Sequence, residues 1–124
     1  MPVLTAPPAP THSVPGTEFT SLATPSRGST DTSVWRVEIA PGTEPTPHSL
    51  TREEVFVVLA GSASVRLDGE PGTAAAGDVI VVPPGVRFEL SNAGREPLSL
   101  LCCMPAGGQA RLDDGTLLSP PWAR

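Results

Sequence analysis

Proline and glycine punctuate this chain so densely that no long helix can run through it. Its 124 residues include 16 prolines and 12 glycines. Proline removes a backbone donor and clashes with the preceding helical turn, and glycine in a helix interior costs conformational entropy. Apart from the first ten residues, the two types do not cluster but separate short apolar runs. Residues 33–40 alternate Trp35, Val37 and Ile39 against Arg36 and Glu38, the period of a half-buried strand. Residues 55–59 and 79–82 are continuously apolar and mostly β-branched, which predicts strands buried on both faces. A turn at Gly61 leads into a strand at 63–67, and Asp68-Gly69 then marks a hairpin.

Further strands are expected at 17–22, 86–90 and 98–104, with a last short one from Ala110 to Leu112 across the mouth of the fold. No stretch carries a sustained helical period with caps. Short strands at regular spacing around a single core of this size predict an all-β fold, a jelly-roll β-barrel in one domain. Residues 1–16, with five prolines and little periodicity, read as a flexible arm, and 17–124 as the barrel.

Charge and cysteine usage narrow the function classes. The formal charge is -5, and every one of the eight cations is an arginine, scattered along the chain. Without a basic stripe to follow a phosphate backbone, nucleic acid is not an expected partner. No apolar run reaches the length of a membrane-spanning helix, and the prolines near the N-terminus interrupt any secretory h-region. Cys102 and Cys103 are neighbours, point to opposite faces in a strand and close no loop. Free thiols and a cytoplasmic location are the expectation.

The spacing of a few residues is more specific. Gly42 is followed by five residues, His48, one residue, Leu50, three residues, Glu54, six residues and Gly61. Gly77 is followed by five residues, Pro83, one residue, Gly85, two residues, Phe88, three residues and Asn92. This two-part pattern, 42–61 and 77–92, resembles the signature of the cupin superfamily, as found in small microbial cupins. Eight of its ten fixed positions agree, and the resemblance covers about 33–104. In that family two histidines and a glutamate of the first half and a histidine of the second hold one metal inside the barrel. Here Leu50 and Phe88 stand at two of the histidine positions, so only His48 and Glu54 remain as metal ligands. Two ligands flanked by a leucine and a phenylalanine do not make a catalytic zinc or non-haem iron site, and no cofactor is expected. The alternative is one divalent transition metal (Fe, Zn, Ni, Cu or Mn), with a third ligand from His12, Cys102, Cys103 or Glu53.

Three functions stay open. His48 and Glu54 form a general acid–base pair for a metal-independent isomerase, epimerase or cyclase. The barrel is a non-catalytic binding or sensor module for a small apolar ligand, lined by Leu50, Phe56, Phe88 and Trp35, with Cys102 at the wall and His48, Glu54 and Arg87 as polar contacts. Or a metal with a non-standard third ligand supports dioxygenase or isomerase chemistry. The resemblance also implies a homodimer through sheet faces, to which Trp35 or Trp122 would contribute. Trp122, beside Pro120 and Pro121, reads as an anchor in a hydrophobic groove of its own domain or of a partner.

Overall fold

A computed structural model describes residues 3–124. The strands are β1 (His12–Val14), β2 (Thr17–Ala23), β3 (Thr32–Ile39), β4 (His48–Leu50), β5 (Glu54–Ala60), β6 (Ser62–Leu67), β7 (Glu70–Ala75), β8 (Val79–Val82), β9 (Phe88–Asn92), β10 (Leu98–Pro105), β11 (Ala110–Leu112) and β12 (Leu117–Leu118). The only helical pieces among the described residues are two single 3-10 turns, Pro25–Arg27 and Pro121–Ala123. No helix of these residues is long and apolar enough to cross a membrane. The strands form two six-stranded sheets, ordered β1-β2-β3-β10-β5-β8 and β12-β11-β4-β9-β6-β7, with every pairing antiparallel. The expected jelly-roll barrel is what forms.

Strand β10 occupies the middle of the first sheet, paired to β3 on one side and β5 on the other. Its inward residues Leu98, Leu100, Cys102 and Met104 are all buried, and each large apolar side chain taken from water contributes about 2–3 kcal/mol. Trp35 and Val37 of β3, Phe56 and Val58 of β5, and Val65, Phe88 and Leu50 from the facing sheet complete this core.

Two expectations change. Strands β5 and β8 were expected to be buried on both faces, yet they alternate: Val79 and Val81 are 54% and 48% exposed. Only one layer packs against this sheet, so the outward half of each apolar run faces solvent. Register sets Val81 beside Val55 and Val79 beside Val57, and those two beside Cys103 and Leu101. The result is a contiguous apolar outer face running to the unpaired edge at β8.

The stretch 1–16 is also not wholly an arm. Within it β1 pairs with β2, Thr11 N–H donates to the Phe19 carbonyl at 2.8 Å, and Arg27 donates to the Thr5 carbonyl at 2.7 Å. Gly16, at φ +78°, makes the tight reversal that permits this pairing. Met1 and Pro2 of that stretch lie outside the described residues.

The glycine at the end of the first motif half has a steric reason. Gly61 turns β5 into β6 at φ +86°, and a Cβ there would sit 2.7 Å from the Pro97 carbonyl oxygen and 3.0 Å from Leu98 Cα. Gly42 has a similar φ, +76°, but open space around it. A left-handed alanine costs about 1–2 kcal/mol, so Gly42→Ala should lose about that much. Gly61→Ala, which also drives a side chain into backbone, should lose at least about 1 kcal/mol more. Urea unfolding of the two variants checks this, and equal losses would show that the close approach to Pro97 is not felt.

Candidate functional site

The two motif halves meet at one strand pairing. β4 and β9 join with His48 opposite Phe88, and Gly85 N–H donates to the Leu50 carbonyl at 2.9 Å. Asn92 ends the second half by giving its amide to the Ile39 and Glu96 carbonyls at 2.9 and 2.8 Å and accepting from Gly94 N–H at 2.8 Å. Between the sheets lies a cavity of about 530 Å³, within the size range of small-molecule sites. Trp35, Phe56, Leu100 and Cys102 line it from the first sheet, and His48, Leu50 and Phe88 from the second. Phe88 sits against His48, ring centroids 4.3 Å apart, and edge-on to Phe56 at 5.8 Å.

Glu54 faces this apolar interior from the start of β5, and only 5% of it is exposed. Among the described residues it forms no ion pair; the two ion pairs found both belong to Arg87. Burial pushes its carboxyl up to about 8, and the neighbouring Cys102 thiol pulls it only partly back. Glu54 is therefore mostly a neutral acid at neutral pH. Cys102, fully buried, is driven well above the usual thiol range by burial and then by Glu54, so it stays an unreactive thiol. His48 moves the other way. Burial lowers its pKa, while the Thr46 carbonyl and the Asp113 charge oppose that fall. Its Nδ1 lies 2.8 Å from the Thr46 carbonyl oxygen. Since a carbonyl only accepts, Nδ1 carries the proton and Nε2 holds a free lone pair.

The cavity thus contains an acid that holds its proton and an imidazole that lacks one, lying on opposite sheets. No hydrogen bond joins them. The His48 ring is oriented by Thr46.

Not every expected site residue reaches the cavity. Arg87 was expected as a polar contact inside, but its side chain is 48% exposed. It is held outside by a two-pronged contact to Asp113, both distances 2.9 Å, and by Glu89 at 3.2 Å. Alternation decides this: with Phe88 turned inward, the residue before it turns out. Of the candidate third ligands, Glu53 is exposed. Cys103 lies on the outward face of β10, and His12 sits on β1 with Nδ1 at 2.9 Å from its neighbour Thr11 Oγ1. Neither of them nor Glu53 lines the cavity. Only Cys102 does.

Other wall residues were hidden from sequence reading. Trp122 stacks on Phe19, centroids 3.6 Å apart and planes 8° from parallel, and both line the cavity. The anchor expected for Trp122 is therefore its own domain. Three serine hydroxyls pin that segment: Ser21 to the Trp122 carbonyl at 2.8 Å, Ser33 to Ala123 at 2.6 Å and Ser26 to Arg124 at 2.6 Å. These contacts cross about a hundred residues of sequence, so only the Pro-Pro-Trp composition signalled them.

The cupin domain family matches residues 35–104, more than half of the chain. The chain belongs to the cupin family. Among solved structures, this cupin is similar to KdgF from Halomonas sp., with 23% identity, 83% of this chain and 86% of that one covered, and a TM-score of 0.66. An RmlC-like cupin from Shewanella frigidimarina gives 21% identity, 74% and 78% coverage and a TM-score of 0.64. A salicylate 1,2-dioxygenase mutant from Pseudoaminobacter salicylatoxidans gives 21% identity over 86% of this chain, but only 32% of that one, with a TM-score of 0.70. Among curated proteins, an uncharacterized protein of Methanocaldococcus jannaschii is 38% identical over 53 residues, 43% of this chain. The match spans 42% of that relative, less than half its length. The structural likenesses show a shared fold across neighbours of varied function.

The donor set of this cupin does not fit the metal its family signature implies. Leu50 and Phe88 are buried at two of the four ligand positions, and the Phe88 ring lies directly against His48. Among the described residues, no group of three His, Cys, Asp or Glu side chains could hold a metal ion.

Glu54 makes a measurable mark on stability. Its folded carboxyl keeps its proton up to about pH 8, whereas the unfolded one loses it near 4.5. Between these values the folded state binds more protons, so this group's contribution to stability is full below about 4.5, falls as pH rises, and levels off above about 8. Glu54→Gln has no proton to lose. Its stability relative to wild type should rise across that window by on the order of a few kcal/mol, read from urea midpoints. Parallel pH profiles would show that Glu54 is not buried as described.

Proposed function

We propose that this cupin binds a small, largely apolar metabolite in the barrel lumen and moves a proton on it without a metal, as an isomerase, epimerase or cyclase does. What carries this is the placing of His48 and Glu54 on the wall of one apolar cavity, where burial lowers the pKa of the imidazole and raises that of the carboxyl. His48 has a lone pair to accept a proton, and Glu54 has a proton to give. Groups driven apart in this way divide into base and acid at neutral pH. Set on facing sheets in one cavity and not hydrogen-bonded to each other, they can act on a single bound substrate, His48 removing a proton and Glu54 returning one. A second reading, a non-catalytic binding module, is favoured by the apolar wall and the pinned Trp122 and differs only in what happens after binding. Two unpaired thiols, one facing in and one out, support a cytoplasmic setting.

Adamantyl methyl ketone separates these readings, because it is apolar, neutral and enolisable. Binding should change the fluorescence of Trp35 and Trp122, the two tryptophans of the chain, both at the cavity wall. In heavy water the protein should speed exchange of the ketone's methyl protons, by about 10²–10⁴-fold for a positioned general base, and His48→Gln should abolish this. Binding without exchange would leave a binding module. Absence of binding would remove both readings. The same preparation, purified without chelator or metal-affinity resin, should carry far less than one transition metal per chain, and near-stoichiometric metal would overturn the metal-free mechanism.

We also propose a homodimer through the outer face of the first sheet. The contiguous apolar rows Cys103-Val55-Val81 and Leu101-Val57-Val79 support it, since a face of this kind beside an open sheet edge invites a second copy. Sedimentation should give a dimer for the wild type and a monomer for the double variant Val79→Lys, Val81→Lys. A monomeric wild type would refute the assignment.

A further inference from the structure

The arginines of this chain are all accounted for outside the lumen. Arg87 is committed to Asp113 and Glu89. Arg27 is held by the Leu22 and Thr5 carbonyls at 2.9 and 2.7 Å, and Arg66 reaches the Gly69 carbonyl at 3.3 Å. Arg36 lies on the outer face among Glu18, Glu38 and the proline-rich stretch from Pro7 to Pro10. Arg52, Arg95, Arg111 and Arg124 are exposed, and none of the eight lines the cavity. With no lysine in the chain, the wall offers no permanent positive charge among the described residues. The carboxylic groups on it are Glu54 deep inside and the exposed Glu44. Asp113 stands close enough to His48 to raise its pKa.

A ligand anion entering this space would give up its hydration without meeting an arginine, and burial penalises an uncompensated charge. It would also approach past acidic side chains. A ligand cation would need Glu54 ionised as its counter-ion, in a place where burial opposes that ionisation. An uncharged body meets neither cost. Glu54 and the Nε2 of His48 can then serve as one donor and one acceptor for an oxygen-bearing group.

Resting on the lumen-binding reading, we propose that the site selects by charge. It takes uncharged alicyclic or aromatic molecules bearing a hydroxyl or carbonyl and rejects carboxylates and phosphates of the same shape. The all-arginine, lysine-free composition has a functional side here. Every arginine is tied up or left in water, so none is available to neutralise an anion in the lumen.

The test uses the intact wild-type chain and three rigid probes of equal size: adamantylmethanol, adamantanecarboxylate and adamantylmethylammonium. None of them absorbs where tryptophan does, so Trp fluorescence reports binding at the lumen wall directly at neutral pH. The alcohol should bind at least about a hundredfold more tightly than the carboxylate, the ratio expected when about 2.7 kcal/mol of uncompensated charge burial separates them. It should also bind more tightly than the ammonium ion. A carboxylate that binds as well as the alcohol, or better, would overturn charge selection while leaving lumen binding intact. Tightest binding by the ammonium ion would overturn it too, by showing that Glu54 acts as an ionised partner. If none of the three binds, lumen binding itself fails and the selectivity with it. Glu54→Gln should keep the preference for alcohol over carboxylate, since the missing cation, not the acid, is its cause.

Discussion

Side-chain alternation along β10 is the constraint on which the rest of the molecule depends. This strand is flanked on both sides, so its register sets which residues of β3 and β5 face inward. Its buried half, Leu98, Leu100, Cys102 and Met104, is apolar apart from one thiol. The same parity brings Trp35 and Phe56 level with Cys102. It also turns Glu54 to the inside two residues before Phe56. A one-residue slip would expose the aromatic wall and turn Cys103 and Leu101 into the lumen. Core and candidate site are therefore one device, and the site's polar groups are set in it two residues at a time.

That arrangement explains the electrostatics. A carboxyl carried inward by strand parity, without a cation opposite it, stays protonated. An imidazole carried inward from the other sheet, with its Nδ1 bound to a carbonyl, stays neutral. Neither state needs a special device beyond burial and one hydrogen bond. Where cupins of the usual pattern place two more histidines, this chain places a leucine and a phenylalanine. Of the four ligand positions only His48 and Glu54 stay polar, so the departures from the signature define the chemistry as much as the agreements do. The outward half of the same strands bears the opposite consequence. Valines that resemble core residues in sequence become an apolar outer surface, because the sheet has only one packing partner.

Much of the fold was legible from the residues. Glycine and proline ruled out helices, period-two alternation located β3, and Asp68-Gly69 marked the hairpin between β6 and β7. The joint spacing of the two motif halves named the barrel. The inward placing of His48, Leu50, Glu54, Phe56 and Phe88 also followed from parity and the motif. Less legible was Arg87, adjacent to a lumen residue in sequence but opposite to it in space. Two-sided burial of β5 and β8 was misread for a related reason: a continuous apolar run does not say whether a second layer exists to cover it. The Trp122 wall depends on contacts between β2, β3 and residues about a hundred positions later, which leave no local pattern.

By itself, then, the sequence determined an all-β cupin barrel, its inward-facing candidates and the loss of two expected ligands, because strand parity and turn chemistry are local properties. Only the tertiary structure decided that His48 and Glu54 meet one cavity from facing sheets with opposed pKa shifts, and that Arg87 belongs to the surface. It also decided that Trp122 closes on Phe19 and that no arginine lines the lumen. These are matters of distance and desolvation between strands far apart in the chain, and they exist only once the two sheets have closed on each other.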